Sequence, residues 1–181
     1  MPLMNEESVR EESVLSAAKA MLSAARTAPK GKGKDNLVGA LAERDVVEKI
    51  SAHLEMMVER DGLDDYFLRD AVNIRSAQAM LLLGTKIQPM NVEPCGMCGF
   101  TDCNEKEQYP NHPCVFNTGD LGIAVGSVVS MAADYRIDNR IMYTVGQAVK
   151  EMGLLGDDVP IIYAIPLSVS RKDPFFDRKK K

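Results

Sequence analysis

Between residues 8 and 26 the apolar side chains recur three and four apart, with Val14, Ala18, Met21, Leu22 and Ala25 on one face. That stripe predicts an amphipathic helix, opened by Ser8 and Glu11 at capping-box spacing and stopped by Pro29. Ala17, Ala18, Ala20, Ala24 and Ala25 make it slim, suited to close packing against another helix. Residues 37–41 predict a short strand. Asp45 and Glu48 repeat the capping-box spacing ahead of a second stripe, Val46, Val47, Ile50, Leu54, Met57 and Val58, which ends at Gly62. Asp64 or Asp65 opens a third helix carrying Phe67, Leu68, Ala71, Val72 and Ile74. At residues 79–84 the periodicity gives way to a short continuous apolar run, the mark of a buried strand. Asp120 opens an apolar helix to about Ala133, with Gly122 and Gly126 four apart on one face. Asp138 opens the next, with Ile141, Val145, Ala148 and Met152 aligned and Gly153 at its end. Residues 159–165 form the last strand, with Pro160 near its start and Pro166 closing it.

Several helices and about three short strands, with varied loops and no internal repeat, predict a single α+β domain over residues 1–181. Its small sheet is covered by helices, and a cysteine-rich loop (89–118) is inserted at the sheet's edge. Phe175 and Phe176, in an otherwise exposed tail ending at Asp177, are expected to pack on the core or on a partner subunit.

The formal charge of −4 excludes nonspecific nucleic-acid binding, which needs a basic surface. The basic run 178–181 reads as a solvated tail. No apolar run approaches the ~20 residues of a membrane span, so no membrane is expected as a partner. The amino terminus, acidic at Glu6, Glu7, Glu11 and Glu12, lacks a signal-like pattern. A cytoplasmic protein is expected, and a reducing compartment suits unpaired thiols.

All four cysteines, Cys95, Cys98, Cys103 and Cys114, lie in one segment spaced C-x2-C-x4-C-x10-C. Gathered in this way they read as metal ligands rather than as small buried residues. Gly96 and Gly99 let the backbone turn around a centre and bring N–H groups near the sulfurs. Pro94 and Pro113 hold the chain extended before the first and last cysteine. One close pair followed by two unequal gaps suits an iron–sulfur cluster, and a structural zinc site is the alternative. His112 is near enough in sequence to replace a sulfur, and otherwise is a solvated loop side chain. His53, with no cysteine or second histidine nearby, reads as a surface or half-buried residue.

Residues 30–36, with Lys30, Lys32 and Lys34 between glycines, lack P-loop spacing. They form either a flexible solvated loop or a wrap of ammoniums and backbone N–H groups around an anion such as a flavin phosphate.

The Cys-Gly-x-Cys-Gly-Phe-x-x-Cys run, with residues 120–127, 138–140, 165–168 and 174–178, resembles a family of uncharacterised proteins containing a ferredoxin domain. A second resemblance lies in residues 24–29, which look like the alanine-rich helix end and Ala-Pro turn of flavin-dependent nitroreductases. In that superfamily an asparagine after the turn touches the flavin, and Asn36 is the candidate here. The superfamily's Arg-Arg-Ser-x-Arg phosphate motif is reduced to Arg10, and its Gln-Pro-Trp is absent. This resemblance implies a nitroreductase-like fold, FMN at a subunit interface and a homodimer. At least two of the cations Lys30, Lys32, Arg171 and Lys172 would converge on the flavin phosphate, with backbone N–H groups of Gly31 or Gly33 completing the shell.

The expected function is an iron–sulfur redox protein in which the four cysteines hold a [4Fe–4S] cluster, a flavin-dependent oxidoreductase where FMN is bound as well. The alternative is a non-catalytic binding or assembly protein with a zinc staple. No acid–base or nucleophile–base pair stands out, and neither substrate nor redox partner is legible.

Overall fold

The computed structural model describes residues 3–176. In chain order the elements are α1 (Glu6–Thr27), β1 (Leu37–Glu43), α2 (Arg44–Asp61), α3 (Asp65–Ile74), β2 (Ala79–Thr85), α4 (Cys103–Glu107), α5 (Val115–Asp134), β3 (Asp138–Asn139), α6 (Tyr143–Glu151) and β4 (Ile161–Ser168). The strands form one antiparallel sheet in the order β1-β2-β4-β3, with Leu82 opposite both Ala40 and Ala164.

Strand side chains alternate between two cores. Met80, Leu82, Ile162 and Ala164 join Ile50, Leu54, Ala71 and Val145 of α2, α3 and α6 on one face. Ala79, Leu81, Leu83, Ile165 and Leu167 meet Ala18, Met21, Leu121 and Val128 of α1 and α5 on the other. Helices thus cover both faces, so every residue of β2 is buried and its sequence shows no polar alternation. Each fully buried leucine or isoleucine here contributes roughly 1.5–3 kcal/mol. The alanine face of α1 lies against α5, with Ala17, Ala18 and Ala25 buried.

Several helix starts differ from expectation. Asn5, not Ser8, caps α1, its Oδ1 accepting from Glu7 N at 3.2 Å. α2 begins at Arg44, leaving Asp45 inside its first turn. α5 begins at Val115 with Cys114 as its N-cap, so Asp120 lies within the helix, where it is buried. Asp138 belongs to β3, and α6 starts only at Tyr143. Leu68, Val72 and Ile141 are exposed rather than inward, while Asp70 is buried and accepts from Thr144 Oγ1 at 2.8 Å. Pro166 does not close β4 but sits within it, opposite Met80. Ala164 exchanges both backbone bonds with Met142, so Pro166, two residues on, turns its missing donor to that side. The β3 ladder there pairs only Asn139 with Leu167 and Asp138 with Ser168, so no bond is lost.

Gly62 and Gly153 follow α2 and α6 at φ of 64° and 65°, the left-handed ends their sequences announce. Phe175 is buried in the α2/α3/α6 core, with its carbonyl accepting from Arg140 Nη1 at 3.0 Å. Phe176 stays half exposed beneath the Arg140 guanidinium, 5.1 Å from the ring centre. Asp177 and the basic run 178–181 lie outside the described residues. By length and composition α5 is apolar enough to cross a membrane, contrary to the sequence expectation, but here it packs against α1.

Candidate functional site

The cysteine segment leaves the end of β2, an interior strand, and returns at the start of α5. Its base is pinned on several sides. Gln88 N donates to Asn117 Oδ1 at 2.9 Å, tying the outgoing chain to the first turn of α5. Lys86 N donates to Asn36 O at 3.0 Å, and Lys32 Nζ to Asn91 O at 2.8 Å. Asp120 takes Gly31 N on both carboxylate oxygens, at 3.0 and 3.1 Å, fastening the glycine turn to α5. A Cβ at Gly31 would lie 3.0 Å from the Phe116 ring, so the turn is also packed against that helix.

Within the loop, Gly96 and Gly99 adopt φ of 70° and 90°, and Gly99 N donates to Gly96 O at 3.1 Å. This is the tight turn expected between Cys95 and Cys98. Asp102 caps the short α4 through Glu105 N at 2.8 Å, and Glu105 Oε2 reaches back to Thr101 N at 2.6 Å. Phe100 stacks on Tyr109 at 5.2 Å with His112 edge-on at 5.4 Å, so His112 is engaged by rings. Cys95, Cys98 and Cys103 are half-buried, Cys114 is buried, and all four are free thiols. Among the described residues no three His, Cys, Asp or Glu side chains are gathered as a metal-binding group. The donor set therefore fits a soft metal in its chemistry, but this conformation does not draw the sulfurs together.

The residues expected at a flavin phosphate separate into two groups. Lys30 spends its ammonium on the carbonyls of Ala25, Arg26 and Ala28, at 3.1, 2.6 and 2.7 Å, closing the C-terminus of α1. Lys32 is bonded to the base of the cysteine loop, and Asn36 Nδ2 to Met90 Sδ at 3.6 Å. Arg171 lies at the other end of α1, in a hollow of about 520 Å³ with Glu6, Glu7, Arg10, Val169 and Ser170. Lys172 is in the adjacent turn, where its N donates to Ser170 Oγ at 3.2 Å. The 22 residues of α1 put roughly 33 Å between the two groups. An adjoining hollow of about 220 Å³ shares Glu6, Arg10 and Val169 and adds Ser13 and Tyr135. Arg10 Nε donates to Glu6 Oε1 at 2.7 Å, and this bond holds the Glu6 carboxyl below the usual carboxylate range.

Comparison with known proteins follows the same lines. Residues 111–178 match the family of uncharacterized proteins containing a ferredoxin domain, a stretch that includes Cys114 but not the other three cysteines. An uncharacterized protein of Archaeoglobus fulgidus is 40% identical over 186 residues, covering 99% of each chain. The chain belongs to the ferredoxin-domain family. In fold, this family member is similar to a nitroreductase family protein from Clostridium novyi NT, with a TM-score of 0.58 and 16% identity over 90% of this chain and 76% of that one. A nitroreductase with bound FMN from Bacteroides fragilis gives 0.58 and 11%, covering 92% and 82%. A BluB-like flavoprotein from Clostridium difficile 630 gives 0.56 and 18%, covering 92% and 84%. The expected nitroreductase-like α+β fold is the one observed.

Two further features escaped the sequence reading. Arg10, seen in the sequence only as the remnant of a phosphate motif, lines both hollows, with Ser13 one helical turn on in the smaller and Arg171 in the larger; the return of β4 to that end was not visible. Asn117 is the other. Its Oδ1 is bonded to Gln88 N, and its Nδ2 is the one buried side-chain nitrogen or oxygen without a partner among the described residues.

Proposed function

We propose that this is an iron–sulfur redox protein in which Cys95, Cys98, Cys103 and Cys114 hold a [4Fe–4S] cluster, and that it works in the cytoplasm as a flavin-dependent oxidoreductase. The observation that carries the reading is the arrangement of the thiols: four free cysteines, confined to one loop whose two ends are bonded to each other and to α5. A bound cluster would supply one-electron transfer; the chain supplies the ligands, the glycine turn and a rigid base. The ferredoxin-domain family supports redox chemistry, and the fold supports a flavin, since one similar nitroreductase binds FMN.

For the flavin we assign the hollow at the start of α1 rather than the Lys30–Asn36 turn, where Lys30 and Lys32 are committed to carbonyls. Arg10 and Arg171 would hold an anionic group there, with Arg10 released from Glu6. We further propose a homodimer formed through α5. A Cβ at Gly119, Gly122 or Gly126 would meet nothing within 4 Å, and Ile123 between them is 47% exposed, leaving an open strip for a second backbone.

Anaerobic purification tests the main reading. Brown protein with iron and acid-labile sulfide, up to ~4 iron per chain, is expected. A colourless chain holding one zinc after anaerobic reconstitution would overturn it in favour of a structural staple.

A further inference from the structure

β1 stands at the edge of the sheet, paired with β2 and, among the described residues, with no strand on its outer side. Asn36 O accepts from Lys86 N, and the β1–β2 register carries that pattern forward, so Val38, Ala40 and Ala42 bond toward β2. Leu37, Gly39, Leu41 and Glu43 therefore turn their backbone groups outward. Leu37 N is met there by Asp35 Oδ1 at 3.0 Å, which leaves Gly39 and Leu41 as open donor–acceptor pairs. Residues 37–42 carry no charge and no proline, the devices that usually blunt such an edge.

Beside this edge, between β1 and α1, lies a hollow of about 270 Å³ whose lining includes Leu22, Ser23 and Arg26 of α1 with Leu37, Gly39 and Leu83 of the sheet. Gly39 is exposed, and a Cβ there would meet only the Leu83 and Leu22 methyls, at 3.1 and 3.4 Å, as its nearest side chains. A residue opposite Gly39 on an added strand shares its face of the sheet, so its side chain enters the hollow. The lining is apolar except at Ser23 and Arg26. The Arg26 side chain is 60% exposed and pairs through Nη1 with Asp35 Oδ2, which Lys30 Nζ also approaches at 3.9 Å. Two cations thus share one carboxylate, and the rest of the guanidinium fork has no partner among the described residues.

We propose that the β1 edge and its hollow bind the C-terminal end of an extended segment of another protein, added antiparallel to β1. In that direction the incoming chain ends toward Leu37, beside Arg26, and the guanidinium takes its terminal carboxylate. An apolar last residue opposite Gly39 fills the hollow, and the backbone of Gly39 and Leu41 supplies the ladder bonds. This chain's own C-terminus, three consecutive lysines, has the wrong charge and the wrong side chains for an apolar hollow beside Arg26. The inference depends on neither the metal nor the flavin, and the second copy proposed at α5 leaves this edge open.

The test uses the full chain and an acetylated hexapeptide of alternating threonine and leucine that ends in leucine with a free carboxylate. Calorimetric titration is expected to show saturable binding, and the bound peptide should slow hydrogen exchange at the Gly39 and Leu41 amides. Amidating the peptide's terminus should weaken binding about ten- to a hundredfold, the loss of one charge-assisted contact. Arg26→Ala should cost the free acid the same factor and leave the amide's affinity unchanged. Gly39→Val, whose side chain meets movable leucine methyls, should fill the hollow and abolish binding while keeping the circular dichroism of wild type. Absence of saturable binding would overturn the proposal, and so would equal affinity of wild type for acid and amide. Octanoate that binds as tightly as the peptide would assign the hollow to small apolar acids instead. Gly39 and Leu41 amides already protected without peptide would assign the edge to a second copy, and either result overturns the proposal.

Discussion

A single methyl group is too much at Gly146. A Cβ there would lie 2.0 Å from Ile162 O and 2.8 Å from its carbonyl carbon, and both are backbone of the adjacent strand. No rotamer change relieves such a contact, so Gly146→Ala must part α6 from β4. The expected loss is about 3 kcal/mol or more, a fall in melting temperature of roughly 6–12 °C, read by thermal denaturation. Cys98→Ser is its opposite in kind. Cys98 is half-buried in a loop outside both cores, so the variant is expected to keep its helical circular dichroism and melting cooperativity while failing to retain metal. A variant that unfolds outright would assign Cys98 to packing. Residue by residue, the sequence reads best where chemistry is local. Gly62 and Gly153 were legible for that reason. Asp120 was misread as a cap because a carboxylate near a helix start has the same sequence whether it binds its own helix or, as here, Gly31 N.

At the scale of elements, α2 and α6 are joined at their exposed rims by Glu151, which accepts from Arg60 Nη1 and Nη2 at 2.7 and 2.9 Å and lies 3.0 Å from His53 Nε2. The hydrogen bond from Arg60 holds the Glu151 carboxyl below its ordinary value of 4.5. A carboxylate depressed in the folded state contributes stability that is present above its unfolded pKa and lost as pH falls through its folded one. Melting temperature should therefore drop as acid is added below about pH 4.5, and Glu151→Gln should flatten that part of the profile. An identical acid limb in the variant would show that the contact is too solvent-screened to matter. The elements themselves were legible because apolar period and length agree: 79–84 is too short and too continuous to be anything but an inner strand. Their starts were not. Serine, aspartate and glutamate spaced for a capping box occur at Ser8 and Asp45 inside the first turn of the real helix, and nothing local distinguishes the two registers. Pro166 was misread for a related reason, since the gap it faces between the Met142 bridge and β3 exists only in the folded sheet.

At the scale of the whole molecule, α1 holds the two groups of candidate phosphate ligands at opposite ends. Sequence could not separate them. Lys30, Lys32, Arg171 and Lys172 are all cations beside turns, and only the return of β4 to the start of α1 shows that Arg171 meets Arg10 rather than Lys30. Lys30 is then a helix cap and Lys32 a strut to Asn91. An anion entering at Arg10 must compete with Glu6 and with the nearby Glu7. A second subunit is proposed across the open glycine strip of α5, and an obligate dimer of this kind buries about 2,000 Å² or more. Gly122→Leu, placed in that strip where a side chain meets nothing of its own chain, should leave the monomer folded and shift sedimentation toward it. FMN titration followed by fluorescence quenching then separates the sites. Arg171→Ala should weaken binding about ten- to a hundredfold, the loss of one charge-assisted contact, while Lys32→Ala leaves it unchanged. If Lys32→Ala carries the effect instead, the phosphate belongs at the glycine turn. If Gly122→Leu abolishes binding as fully as Arg171→Ala, the flavin site is shared between subunits. No saturable binding by folded, metal-loaded wild type would leave the fold without its flavin, and the thiol loop alone would have to account for the chemistry.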